Sequence, residues 1–164
     1  GTSKMKTVRH FTATGYLVHK NSVYLHWHEK VKMWLPPGGH IEDNEDPVQA
    51  VKREVLEETG LESVIVERDQ ALSFEYPKLV SSPRYIMIED IDDPQIGFHQ
   101  HIDLIYYCRP KNGVHKIKQD WVAIRYDDLQ QNKRLTIGED KSVFLSQDVR
   151  EMSMEAIKIN LKHS

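Results

Sequence analysis

The chain has 164 residues, 39% hydrophobic and 29% charged, with a formal net charge of −3. That length and balance suit one globular domain with its own core and exclude a low-complexity or disordered chain. The small net charge excludes a general attraction to nucleic acid or anionic lipid, the lone Cys108 excludes an internal disulfide, and no apolar run is long enough to span a bilayer.

Gly1 to Lys4, ahead of Met5, reads as an expression remnant, so a single domain is expected over 5–164. No signal-peptide pattern opens it, which makes the cytoplasm the expected location. Phe11 to Val18 and Ser22 to Trp27 read as paired strands joined through Lys20-Asn21. Trp34-Leu-Pro-Pro-Gly-Gly39 reads as a strand end entering a tight turn, where Gly38 and Gly39 let backbone approach a ligand and offer a carbonyl oxygen. A helix follows from Pro47 to Thr59. Asp46 suits its N-cap, Pro47 its first position and Gln49 the capping box, and Gly60 suits its C-terminal stop. Val48, Val51 and Val55 form its apolar stripe. Strand patterns recur near Val64 to Glu67, Leu72 to Tyr76, Arg84 to Ile91, Ile102 to Arg109 and Trp121 to Arg125, with a helical turn at Asp127 to Leu129. A last helix is expected from about Gln147, capped by Ser146, with Val149, Met152, Ala156 and Ile159 facing the core. Strands interspersed with helices predict a mixed sheet covered on both faces.

The chemistry is concentrated in the Pro47–Thr59 helix. Glu54, Glu57 and Glu58 stand at i, i+3 and i+4, so their carboxylates share one face. They repel one another, and Glu57 and Glu58 lie at the helix end that disfavours anions. Acidic residues at helical spacing usually mark a solvated face, and Glu42, Asp43 and Glu62 are read that way. The cap, the double glycine and Arg53 beside the three glutamates argue for a bound hard cation instead, Mg²⁺ or Mn²⁺. Arg53 can also pair with Glu57 at i+4.

The segment Gly39 to Leu61 resembles the signature of the Nudix hydrolase family, G-x5-E-x7-R-E-U-x-E-E-x-G-U, in which U is a bulky aliphatic residue. Gly39, Glu45, Arg53, Glu54, Val55, Glu57, Glu58, Gly60 and Leu61 fill every fixed position. Asn44 stands where family members often carry glycine, and asparagine tolerates positive φ. The resemblance implies an α/β/α sandwich with a mixed sheet between helices. It also implies hydrolysis of a nucleoside diphosphate linked to another moiety, with Mg²⁺ or Mn²⁺ held by Glu54, Glu57, Glu58 and the Gly39 carbonyl. Arg53 would orient a glutamate and Glu45 would brace the loop. The expected catalytic set is Glu54, Glu57, Glu58 and Arg53, with Glu45, Gly38 and Gly60 structural.

The proton acceptor stays open between Glu57, Glu58 and residues outside the motif, in Glu89-Asp90-Ile-Asp92-Asp93 or His99-Gln-His101-Ile-Asp103. Asp92 and Asp93 are read as a loop end. Zinc held by histidines is disfavoured, because no third strong ligand stands at familiar spacing. Tyr76, His99 and His101 are candidate substrate contacts. Tyr76-Pro77 carries cues to both dinucleoside polyphosphate and ADP-ribose relatives, so it does not choose between them. Trp27, Tyr85 and Tyr107 could stack a base but fit a strand core equally. The expected partner is a small nucleotide-like diphosphate, not nucleic acid or membrane, with the chain a monomer or homodimer. The rival reading is a Nudix module that senses a nucleotide without cleaving it. Non-nucleotide chemistry on the same fold is a third.

Overall fold

The computed structural model describes residues 6–163, so the expected remnant Gly1 to Lys4 lies outside it. Strand β1 (Arg9–His19) is the centre of an eight-stranded mixed sheet. It pairs antiparallel with β2 (Ser22–His28) across the Lys20-Asn21 turn, and β2 carries β3 (Met33–Leu35). On its other edge β1 pairs parallel with β7 (Gly97–Pro110), Arg9 to Leu17 against Gln100 to Cys108. β7 also pairs with β5 (Ser63–Ile65) and β6 (Tyr85–Asp93). The sheet is completed by β4 (Gly38–His40) against β1 and β8 (Val122–Arg125) against β2. A small hairpin, β9 (Leu135–Ile137) with β10 (Lys141–Val143), stands apart.

Alternation along β1 sends its side chains to two separate cores. Ala13 and Leu17 pack with Tyr106 and Cys108 against helix α1 (Pro47–Thr59), through Ala50, Val51 and Val55. Tyr16 and Val18 face the other way. They pack with Ile105 and Tyr107 against helix α3 (Gln147–Lys162), through Val149, Met152, Ala156 and Ile157. Short helix α2 (Tyr126–Gln130) supplies Leu129 to that second core. Helices on both faces of a mixed sheet make the expected α/β/α sandwich.

Some local expectations change. Leu72 to Tyr76 forms no strand: segment 66–84 has no helix or strand, and Leu72, Phe74 and Tyr76 are exposed. Their strand-like pattern meets no partner edge. Ser146 takes the N-cap conformation of α3, but its hydroxyl makes no cap hydrogen bond. Ile157, fully buried, fills the core position expected of Ile159, which is half-buried. Asn44 does adopt positive φ, 69°.

The caps of α1 are fully made. Asp46 Oδ1 accepts from Gln49 N–H at 2.8 Å, and the Gln49 side chain accepts from Asp46 N–H at 2.9 Å. Gly60 closes the helix at φ 82°, donating to the Leu56 carbonyl at 2.9 Å. Asp46→Ala removes one half of the capping box and is expected to cost about 0.5–2 kcal/mol. Urea unfolding followed by far-ultraviolet circular dichroism checks this: the midpoint should fall with an unchanged slope, and an unmoved midpoint would contradict the cap assignment.

Candidate active site

The capping box and Gly60 fix the rotation of α1, and its apolar stripe fixes which side faces the sheet. Glu54, Glu57 and Glu58 therefore emerge along the edge of the helix that meets β4. Contact there is close. A Cβ on Gly39 would lie 2.5 Å from Glu54 Oε1, so only glycine lets strand and carboxylate approach this far. Gly38 N–H donates to Glu58 Oε2 at 2.8 Å, tying the last turn of the helix to the same strand.

Arg53 organises the cluster. Its Nε and Nη2 donate to the two oxygens of Glu45, at 2.6 and 2.9 Å. Nη1 donates to Glu54 Oε1 at 2.8 Å and to Glu57 Oε2 at 3.3 Å, the expected i+4 contact. Nη2 also donates to the His40 carbonyl at 3.0 Å. Glu45 in turn accepts from Glu42 N–H at 3.0 Å, which folds the loop between β4 and α1. These bonds hold the Glu45 carboxyl below the usual range and raise the Arg53 guanidinium further above its already high value. One guanidinium thus serves several carboxylates. Burial pushes the Glu58 carboxyl up to about 7; the Gly38 N–H opposes this, and the charges of Glu54 and Glu57 add to it.

The C-terminal turn of α1 is also held from outside the motif. Lys118 Nζ donates to the Glu57 carbonyl at 2.7 Å, and Trp121 Nε1 donates to the Glu58 carbonyl at 2.9 Å. Neither residue carried a sequence signal for this role.

A second polar group lies on the opposite face of β1. Thr12 and Thr14 donate to Asp103 at 2.9–3.0 Å, and Asp103 shares a hydrogen bond with Glu89. Burial raises the Glu89 carboxyl to about 8, aided by the Asp103 charge, and burial also raises Asp103. Glu89 is therefore the protonated partner, donating to Asp103. Gly38 connects the two groups: a Cβ there would sit 2.7 Å from Thr14 Oγ1. Both acidic stretches named from the sequence contribute one member each. Asp92 and Asp93, expected as a loop end, are instead the last residues of β6, paired with Phe98 and Gly97, and Asp93 also pairs with Lys30 at 3.5 Å and accepts from Gln95 and Ile96 N–H in the turn that follows.

The candidate substrate contacts separate. Tyr76 is 88% exposed in segment 66–84. His99 and His101 stand together on β7, facing His10 of β1 and His40 of β4, with ring centroids 5.1–6.3 Å apart where they meet. Burial lowers His101 to about 4, with His40, His99 and His10 adding to the effect. Tyr107 is a core residue, its hydroxyl donating to Glu155 at 2.8 Å; Tyr85 is half-exposed and donates to the same carboxylate.

A family model, the NUDIX domain, matches residues 9–157. The chain belongs to the Nudix family. A Nudix family hydrolase from Clostridium perfringens superposes with a TM-score of 0.74 at 28% identity, over 93% of this chain and 98% of that one. The MutT protein of Methanosarcina mazei shares the Nudix fold at a TM-score of 0.57 and 13% identity, over 96% of this chain and 99% of that one. Among curated relatives, the 8-oxo-dGTP diphosphatase of Haemophilus influenzae is 41% identical over 59 residues, 35% of this chain and 43% of that protein. The RNA pyrophosphohydrolase of Bartonella henselae is 38% identical over 52 residues, 30% of each chain. The matches thus span less than half the length of these two relatives.

The Glu89–Asp103 pair gives a pH prediction. A carboxyl whose folded value is raised to about 8 binds its proton more tightly in the folded state. Its contribution is present below the unfolded value, about 4.3, and is lost as pH rises through about 8. The metal-free protein should therefore melt at lower temperature at pH 8 than at pH 5. Glu89→Gln keeps a donor toward Asp103 and removes the titration, so the decline should flatten. Scanning calorimetry in EDTA across that range tests this; an equally steep decline in the variant would count against the assignment.

Proposed function

We propose that this Nudix protein is a divalent-metal-dependent pyrophosphohydrolase, cleaving the pyrophosphate linkage of a nucleoside diphosphate joined to another moiety. The observation that carries the reading is the packing of Glu54 against Gly39 and of Glu58 against Gly38 N–H, with Glu57 beside them on one guanidinium. This donor set fits Mg²⁺ or Mn²⁺: hard oxygen ligands, a cradle that a Cβ would fill, and a carboxyl raised to about 7 by burial, with the charges of Glu54 and Glu57 adding to it. Glu54, Glu57, Glu58 and the Gly39 carbonyl would hold the ion. When bound, it would reverse the sign of the local field toward the polyanionic substrate, polarise phosphoryl oxygens and activate a water.

The chain's residues do the rest. Arg53 holds one oxygen each of Glu54 and Glu57, fixing their carboxylate planes and leaving the second oxygens free. Glu45 fixes Arg53 in turn, so it acts through position and not by touching substrate. Gly38 N–H fixes Glu58. The substrate class accords with the activities for which the curated relatives are named, an 8-oxo-dGTP diphosphatase and an RNA pyrophosphohydrolase.

Two outcomes are expected on a panel of nucleoside triphosphates, nucleotide sugars, ADP-ribose and dinucleoside polyphosphates. EDTA should abolish release of the nucleoside monophosphate or other cleavage product, and Mg²⁺ or Mn²⁺ should restore it. Glu57→Gln or Glu58→Gln should lower kcat by more than about a hundredfold while the far-ultraviolet spectrum is kept. Full turnover in EDTA would overturn the metal reading. Tight nucleotide binding with no turnover on any substrate would favour the sensing module instead.

A further inference from the structure

The imidazole cluster on the far face of β1 is not absorbed by this chemistry. His10 and His101 are direct neighbours in the parallel β1–β7 ladder, and His99 lies one same-face position before His101. One ligand atom from each of His10, His99 and His101 lies within 4.8 Å of the others. His40, opposite Thr12 on β4, brings a fourth ring 5.3 Å from His10 and 5.2 Å from His101.

A bland explanation would be a set of satisfied core histidines. The hydrogen bonding does not support it. His10 Nδ1 and His101 Nε2 are buried with no hydrogen-bond partner, whereas buried polar atoms are nearly always paired. His99 is 4% exposed, and its Nδ1 lies 3.1 Å from the Gly97 carbonyl. A carbonyl can only accept, so Nδ1 carries the proton and Nε2 keeps its lone pair. That arrangement is how a ligating histidine is held by an outer partner. Asp103, next along the same face, has its oxygens engaged by Thr12, Thr14 and Glu89 and does not serve as the missing partner of these rings.

We propose that His10, His99 and His101 form a second cation site, separate from the box carboxylates, for a borderline divalent ion of the zinc class. Three neutral imidazoles suit Zn²⁺, Co²⁺, Ni²⁺ or Cu²⁺ and do not suit Mg²⁺. Zinc–nitrogen bonds of about 2.0–2.1 Å in a tetrahedron set ligand nitrogens about 3.3 Å apart, so modest side-chain rotations close the cluster around an ion. The fourth position faces His40, which is exposed and gives the ion a way in. The ion would tie β1 and β7 together beside β4, at the end of the sheet that leads into the motif loop. The proposal is independent of the hydrolase reading.

The 164-residue chain, stripped with chelator, would be titrated with ZnSO₄ by calorimetry in millimolar Mg²⁺, and its zinc content measured by plasma mass spectrometry. The expected result is one equivalent of zinc that excess Mg²⁺ does not displace. His10→Asn, His99→Asn and His101→Asn should each weaken zinc binding by at least roughly a hundredfold. The double variant Glu54→Gln/Glu57→Gln should bind zinc as the wild type does. Cobalt loading should give the visible bands of four-coordinate Co²⁺ in the wild type and not in the histidine variants. Melting in EDTA reports the fold of each variant, and half-buried His10 provides the comparison if His99→Asn does not fold. Zinc uptake that is absent, that survives the histidine changes, or that is lost only with the box glutamates would overturn the proposal.

Discussion

The Arg53 guanidinium sets the geometry on which the rest of the box depends. It joins the loop before α1 through Glu45, the helix through Glu54 and Glu57, and β4 through the His40 carbonyl. A planar fork with several donors can make these bonds together; a lysine ammonium, a compact point charge, would not hold the same planes. Without that cation the clustered carboxylates would repel, and the loop would lose the partner that sets its path. One guanidinium does not offset all the carboxylates gathered there, and burial, with the charges of Glu54 and Glu57 adding, raises the Glu58 carboxyl. The same arrangement that folds the box therefore leaves it in want of a further positive charge.

β1 distributes the polar chemistry over two faces. Ala13 and Leu17 make the apolar floor beneath α1, while His10, Thr12 and Thr14 line the opposite side. Parallel pairing with β7 then brings His101 and Asp103 beside them, across a separation of about ninety residues in sequence. Each face carries its own group: box carboxylates and Arg53 on one, hydroxyls, a carboxyl pair and imidazoles on the other. Gly38 and Gly39 sit at their junction and touch Thr14 and Glu54 respectively.

What could be read from sequence was the chemistry written in local spacing. The bounds of α1, its capping box, the Gly60 stop and the Arg53–Glu57 contact depend on residues within a few positions of each other, where helical geometry is a reliable guide. The β1–β2 hairpin was legible for the same reason. Three-residue strands such as β4 and β9 are too short to show a period, and the pattern at Leu72 to Tyr76 looked like a strand but found no edge. The histidine cluster was hidden most completely. Sequence spacing disfavours zinc at His99 and His101 because no third strong ligand stands at familiar spacing, yet His10 arrives through a parallel ladder that local pattern does not encode.

The last turn of α1 carries an unfavourable arrangement, and the fold compensates for it from a distance. Glu57 and Glu58 add negative charge at the helix end where the backbone dipole is already negative. A helix selected for stability alone would place lysine or arginine there. Here the basic and donor groups come from another segment: Lys118 and Trp121 bond the Glu57 and Glu58 carbonyls, and Lys118 N–H bonds the Thr59 carbonyl. The positive end of Lys118 is thus engaged by the backbone, while the two carboxylates are held by Arg53 and by Gly38 N–H. Local rules of helix design are broken at the place where the box glutamates gather, while both caps of α1 are made. The proposed metal site accounts for that contrast, and a merely solvated acidic face does not.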